Sequence, residues 1–171
     1  MTGRIGLIGG ECTGKSELAR VLAAELPASV VPEVLRAFVH EHGRPPRATE
    51  QRAIMDRQAA LEAEKLAACR TPWLIGDPAP LMTAIYSVVY FDDASLIRDA
   101  IEHARGYDLI LWCDTDIPWI PDDGQRDGPE YRAAEHAVIE RTVRGVLDDL
   151  PVVLVSGPVT ERVHSALQAI G

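Results

Sequence analysis

The chain has 171 residues, 47% hydrophobic and 25% charged, with 26 acidic against 17 basic residues and a formal net charge of −9. That is the composition of an ordinary globular protein the size of one domain, so one domain over 1–171 is expected. The acidic balance and the lack of a Lys/Arg cluster argue against nucleic acid as a partner, since that binding rests on phosphate neutralisation.

No apolar run is long enough to cross a bilayer, and the first residues lack the basic and apolar pattern of a leader. A cytoplasmic location with no membrane partner is therefore expected. Cys12, Cys69 and Cys113 are three in number, widely spaced and without a C-x-x-C pair. They read as reduced thiols rather than a disulfide framework or a zinc site.

Short apolar runs and helix-like stretches alternate along the chain. Residues 4–8 predict a buried strand and residues 15–26 a helix. Residues 29–31 predict a second strand, followed by a helix over 34–42 that Gly43 closes. A long Ala/Glu/Gln/Leu helix is expected from 48 or 49 to about 69. Residues 72–77 predict a third strand ending on an acid, with helices around 81–89 and 94–105 after it. Residues 107–113 form a fourth strand, again followed by acids, Asp114 and Asp116. A polar loop over about 117–128 has the look of a lid. A helix over about 129–147, a fifth strand over 151–155, a turn and a helix over 159–170 complete the chain.

Five strands separated by helices predict an α/β fold: a three-layer sandwich with a five-stranded, mainly parallel sheet. Ligands in such folds gather at the C-terminal ends of the strands. The first strand runs into Gly9-Gly10-Glu11-Cys12-Thr13-Gly14-Lys15-Ser16, which fits the phosphate-loop pattern G-x4-G-K-[ST] in its required strand–loop–helix context. Backbone N–H groups of such a loop face an anion, Lys15 reaches the β/γ-phosphates and the Ser16 hydroxyl can ligate Mg²⁺. Of the 17 basic residues only Lys15 and Lys65 are lysine. Lysine at 15 in an arginine-rich chain agrees with a need for a compact ammonium. ATP and Mg²⁺ are the expected cofactors.

The other strand ends supply further candidates. Asp77 stands where an acid can orient the metal or accept the proton of an attacking hydroxyl, a reading that the phosphate loop favours over a helix N-cap or turn residue. Glu33 and Arg36 are three apart at a helix start and can face one cleft or form a solvated ion pair. In the polar loop Arg126 is the candidate to close over the transferred phosphoryl group, with Arg132 in reserve. Trp119 is a candidate contact to a base or pyridine ring. Ser156-Gly157-Pro158 is a turn that can wrap an adenine ring, although any strand-to-helix turn with Gly and Pro looks similar. His40, His42, His103, His136 and His164 fit no metal or triad pattern and read as surface or packing residues. Cys113 reads as packing, and Cys12 lies inside the phosphate loop.

Three blocks in this order carry a resemblance: Ile8–Ser16, Pro32-Glu33-Val34-Leu35-Arg36-Ala37-Phe38, and the run from Ile117 to Asp127 with its Trp-x-x-Asp-Asp-Gly-x-Arg pattern. The chain resembles the AAA-type ATPase domain family whose best-known member is the ribosylnicotinamide kinase domain of a bifunctional NAD-biosynthesis regulator. The resemblance covers nearly the whole chain. It implies a P-loop kinase fold and ATP-Mg²⁺-dependent phosphorylation of a ribosyl 5′-hydroxyl, with nicotinamide riboside as the small-molecule acceptor. One departure stands out: where the family has Asp-Thr-Asp, this chain reads Asp77-Pro78-Ala79. The alternatives are a nucleotide-dependent ATPase or switch module without a small acceptor, and a nucleoside monophosphate kinase. The latter would need basic residues such as Arg36, Arg44, Arg47 and Arg52 around an acceptor phosphate.

Overall fold

Each apolar run becomes a short strand because alternate side chains find a helical layer on either side. The computed structural model of the protein describes residues 1–121, 128–146 and 150–171. Strands β1 (Gly3–Ile8), β2 (Ala28–Val31), β3 (Trp73–Gly76), β4 (Leu109–Cys113) and β5 (Val152–Val155) form one sheet in the order β2-β3-β1-β4-β5. All four pairings are parallel. Around them lie α1 (Lys15–Glu25), α2 (Val34–His42), α3 (Gln51–Ala68), α4 (Leu81–Phe91), α5 (Ile97–Ala104), α6 (Pro129–Val146) and α7 (Val159–Ile170).

The period of two is visible in the packing. Ile5, Leu7, Leu109 and Leu111 face α1 and α7, where they meet Leu18, Leu22, Val163 and Ala166. Ile8, Ile110 and Trp112 face the other way, onto Met82, Ile85, Ile101 and Ile139 of α4, α5 and α6. With both faces of β1 covered, Ile5, Leu7 and Ile8 are fully buried. The three-layer α/β P-loop fold read from the sequence is the fold observed.

Element boundaries moved where local hydrogen bonds compete with the helix. The long third helix opens as a 3₁₀ turn, Ala48–Glu50, because the Glu50 carboxylate accepts from the Arg47 N–H at 2.7 Å and from both Nη atoms of Arg44 at 2.8 Å. The fifth helix starts at Ile97 rather than 94, after Asp93 has accepted the Ser95 N–H at 2.8 Å. The fourth strand starts at Leu109 rather than 107. The Tyr107 N–H closes the preceding turn on Ala104, and its phenol reaches across to α3.

That phenol donates to a buried carboxylate, Glu62, lying 2.7 Å from both oxygens. Arg4 and His103 approach Oε2 of the same group at 3.2 and 3.1 Å. Burial first, and the Glu62 charge second, push the Tyr107 phenol well above its usual range. Gly76 is the close approach that admits this carboxylate: a Cβ there would lie 2.6 Å from Glu62 Oε1. Of the histidines, His103 thus joins a buried network, and His136 packs its ring 4.9 Å from that of Trp112.

Candidate nucleotide site

Beyond Ile8 the chain leaves the sheet at its C-terminal edge and turns into α1. Three residues of this loop hold positive φ: Gly9 at 148°, Cys12 at 52° and Gly14 at 81°. Gly14 is also the N-cap of α1 and offers no side chain to the first turn. The first helical bond runs from Leu18 N–H to the Gly14 carbonyl at 2.9 Å, so the N–H groups of Lys15, Ser16 and Glu17 precede it and open at a helix N-terminus.

Lys15 donates from Nζ to the carbonyls of Gly9 and Gly10, each at 2.7 Å. Thr13, fully buried, pins the same Gly10 carbonyl at 2.7 Å. Ser16 is exposed beside the loop mouth.

Asp77 follows β3 directly. Its N–H bonds the Val31 carbonyl at 3.0 Å, and its side chain is buried with Oδ1 lacking any partner. An orphaned buried carboxylate oxygen is a group waiting for a donor or a cation. Glu33, at the end of β2, shares this space: burial first pushes its carboxyl up, Asp77 adds to the rise, and Lys15 and Arg36 oppose it. Gln58 of α3 braces the turn around Glu33, accepting the Val34 N–H at 2.8 Å and donating to the Pro32 carbonyl at 3.2 Å. Because β2, β3 and β1 are parallel neighbours, Glu33, Asp77 and the phosphate loop leave the same edge of the sheet side by side. Arg36 also acts on Glu33, from the solvent side. Its side chain is 67% exposed and 3.7 Å from Glu33 Oε2, the geometry of a solvated i,i+3 pair.

Ala79 is 1% exposed and packs among Ile8, Met55 and Met82, its N–H bonded to the Leu7 carbonyl at 2.9 Å. The position at which the sequence departs from the family pattern is part of the core here.

The remaining candidates frame the other side of the loop. Trp119 donates its indole N–H to Glu11 Oε1 at 2.9 Å, and the same oxygen accepts the Gly128 N–H at 3.0 Å. Cys12 Sγ lies 3.4 Å from the Ile120 N–H. Arg132 is committed to the Ile117 carbonyl at 2.8 Å, with the Cys12 carbonyl at 3.5 Å. Arg126 lies outside the described residues. In the turn after β5, Gly157 has φ 83° and gives its N–H to Asp116, while Ser156 and Pro158 are exposed on either side.

Two residues that sequence reasoning missed hold this frame. Arg162, 2% exposed on α7, donates to the carbonyls of Thr13 at 2.6 Å, Gly157 at 2.8 Å and Asp114 at 3.4 Å, and pairs with Asp116. Glu135, on α6, accepts the Glu11 N–H at 2.7 Å and the Tyr90 hydroxyl at 3.3 Å. Burial raises its carboxyl to about 7, and the Glu11 carboxylate adds to this against the Glu11 N–H, Lys15 and Tyr90. Burial raises the Tyr86 phenol well above its usual range, and the Glu33 and Glu135 carboxylates add to the rise. A polar residue on an otherwise apolar stripe was the available signal: Arg162 stands beside Val163 and Ala166, and Glu135 beside Val138 and Ile139.

A family model described as an AAA domain matches residues 4–162. The chain belongs to the AAA domain family. No curated protein matches it. Among solved structures, this AAA domain is similar to the NadR protein in complex with NAD and AMP-PNP, with 22% identity and a TM-score of 0.79 over 99% of this chain and 48% of that one. It thus spans about half the length of that relative. Deoxyadenosine kinase from M. mycoides, with dCMP and dCDP bound, aligns over 98% of both chains at 13% identity and a TM-score of 0.70. Thymidylate kinase from Candida albicans aligns over 99% of this chain and 91% of that one, at 15% identity and a TM-score of 0.60. At these identities the three share the fold of the AAA domain described here.

Proposed function

We propose that residues 1–171 act as one ATP-Mg²⁺-dependent phosphotransferase domain whose acceptor is a hydroxyl of a small molecule, a ribosyl nucleoside such as nicotinamide riboside in particular. The observation that carries this reading is the buried Asp77 carboxylate with its unpartnered Oδ1, delivered by β3 to the sheet edge between Glu33 and the phosphate loop. A hydroxyl acceptor needs a carboxylate to orient it and to take its proton, next to the ammonium that neutralises the phosphates.

The residues present fit nucleotide and metal. The open α1 terminus and the left-handed Gly14 suit a phosphate group. Lys15 in this structure spends its donors on loop carbonyls, which phosphate oxygens can replace. Among the described residues no group of three His, Cys, Asp or Glu could hold a metal by itself. Mg²⁺ would therefore rest on Ser16, Asp77 and the phosphates, and would neutralise charge on the transferring group. Asp77 orients the ion or takes the acceptor proton, Glu33 holds the acceptor, and Trp119 borders the site. The turn at Ser156, Gly157 and Pro158 lies at the base end, and Arg126 is assigned to the transferred phosphoryl group.

Of the four basic residues that the monophosphate-kinase alternative would use, Arg36, Arg44, Arg47 and Arg52, three stand in ion pairs. Arg44 is paired to Glu50, Arg52 to Asp99 at 2.6 Å and Arg36 to Glu33. Acids beside the acceptor space also disfavour a phosphorylated acceptor by like-charge repulsion. A switch module without an acceptor remains the second reading, favoured by the apolar packing of Ala79 in place of a second acid. A cytoplasmic setting is part of the same reading.

The deciding experiment is ADP release from ATP-Mg²⁺ with and without a panel of nucleosides, nicotinamide riboside included. Turnover that rises at least tenfold with one nucleoside and not with its monophosphate is expected. Slow turnover indifferent to every acceptor would replace this reading with the switch.

A further inference from the structure

The phosphate-loop pattern leaves position 11 open to any residue, and an acid there is unfavourable in isolation: it places a negative charge beside the site of the phosphates. Glu11 nonetheless occupies it, and its carboxylate accepts from donors on distant chain. Oε1 accepts the indole N–H of Trp119, 108 residues on, at 2.9 Å, and the main-chain N–H of Gly128, 117 residues on, at 3.0 Å. The main chain of the same residue is held from another side, its N–H given to Glu135 of α6 at 2.7 Å. Cys12 extends the contact through its sulfur to Ile120, and Arg132 bridges the Cys12 and Ile117 carbonyls.

We propose that Glu11 is a positioning residue that fastens the phosphate loop to Trp119 and Gly128, so that nucleotide arriving at the loop is registered at Trp119. The sensing half of this inference rests on the nucleotide-site reading above. The fastening half does not.

The physical reason is differential binding. A second anion beside Glu11 raises the electrostatic cost of its carboxylate and strengthens its demand for donors, so the Glu11–Trp119 bond has a different free energy with and without nucleotide. A ligand with such a difference must shift the geometry of the pair.

Two measurements separate the halves. Without nucleotide, a double-mutant cycle on thermal unfolding compares Glu11→Ala, which removes the acceptor, Trp119→Phe and the pair. The expected result is that the double variant unfolds close to the worse single variant; strictly additive shifts would overturn the fastening. Second, tryptophan emission is followed at saturating ATP-Mg²⁺. The wild-type emission should change, the change should vanish in Trp119→Phe, and Glu11→Gln should keep less than half of it. A full emission change in Glu11→Gln, or none in the wild type despite calorimetric binding of ATP-Mg²⁺, would overturn the coupling. If the wild type binds no ATP-Mg²⁺ by calorimetry, the nucleotide reading falls with the sensing half, and the cycle alone still decides the fastening.

Discussion

Glu135 accepts the main-chain N–H of Glu11 at 2.7 Å, so a carboxyl from α6 sets the conformation of the phosphate loop from behind. That carboxyl is 1% exposed, and burial lifts it from 4.5 to about 7. Between those values the native state keeps a proton that the unfolded chain has released, so stability falls as pH rises through this window. The full effect is on the order of 3 kcal/mol. Glu135→Gln still offers an oxygen to the Glu11 N–H but does not ionise. Denaturant midpoints taken at about pH 5 and pH 8 should differ less in the variant than in the wild type; equal differences would refute the assignment.

Asp77 has a buried Oδ1 without a partner, so Asp77→Asn should leave stability within about 1 kcal/mol of the wild type. Its turnover, by contrast, should fall by about 10²-fold or more, with nucleotide affinity kept within several-fold. Lys15→Ala should lose both. ADP release and calorimetry on the same preparations check the split, and undiminished turnover in Asp77→Asn would end its assigned role.

Arg162 joins four acceptors from three separate segments. Arg162→Met should cost about 3–5 kcal/mol, because Asp116 and buried carbonyls are left without their donor. Adding Asp116→Asn should recover part of that loss, since it removes the stranded charge. Thermal or urea unfolding of the single and double variants reads the coupling directly, and additive losses would show that the pair does not act as one.

Tyr107→Phe removes the donor facing both oxygens of the buried Glu62. The expected loss is about 1.5–3 kcal/mol, the range for a hydrogen bond to a charged group. ADP release should stay near the wild-type rate, because this network lies with Arg4 and His103, away from the phosphate loop. A stability change below about 0.5 kcal/mol would mean that Arg4 and His103 satisfy Glu62 unaided.

The parts of the site that could be read from the sequence are those whose chemistry is contiguous. Gly9 to Ser16 is one unbroken motif, and the alternation of Leu7 and Ile8 between two faces requires only local periodicity. Asp77 and Glu33 were legible as strand ends, because a parallel sheet delivers every strand end to the same edge. Arg36 was legible with Glu33 as residues three apart at a helix start, and the two side chains lie 3.7 Å apart. Arg162 and Glu135 were not legible. Each marks itself as a charge on an apolar stripe, but its partner lies 149 or 124 residues away in the chain. Periodicity says that such a residue is buried and is silent on what it meets.

The strand order has a consequence for synthesis on the ribosome. β1 is made first yet sits in the middle of the sheet, paired to residues 73–76 on one side and 109–112 on the other. The amino-terminal strand must therefore wait for both neighbours to emerge, and the nascent chain carries an apolar segment with unpaired edges in the meantime. The Thr13 carbonyl waits longer still, for the guanidinium of Arg162. A nascent chain stalled before α7 would hold every residue of the Gly9–Ser16 motif and still lack the brace beneath it.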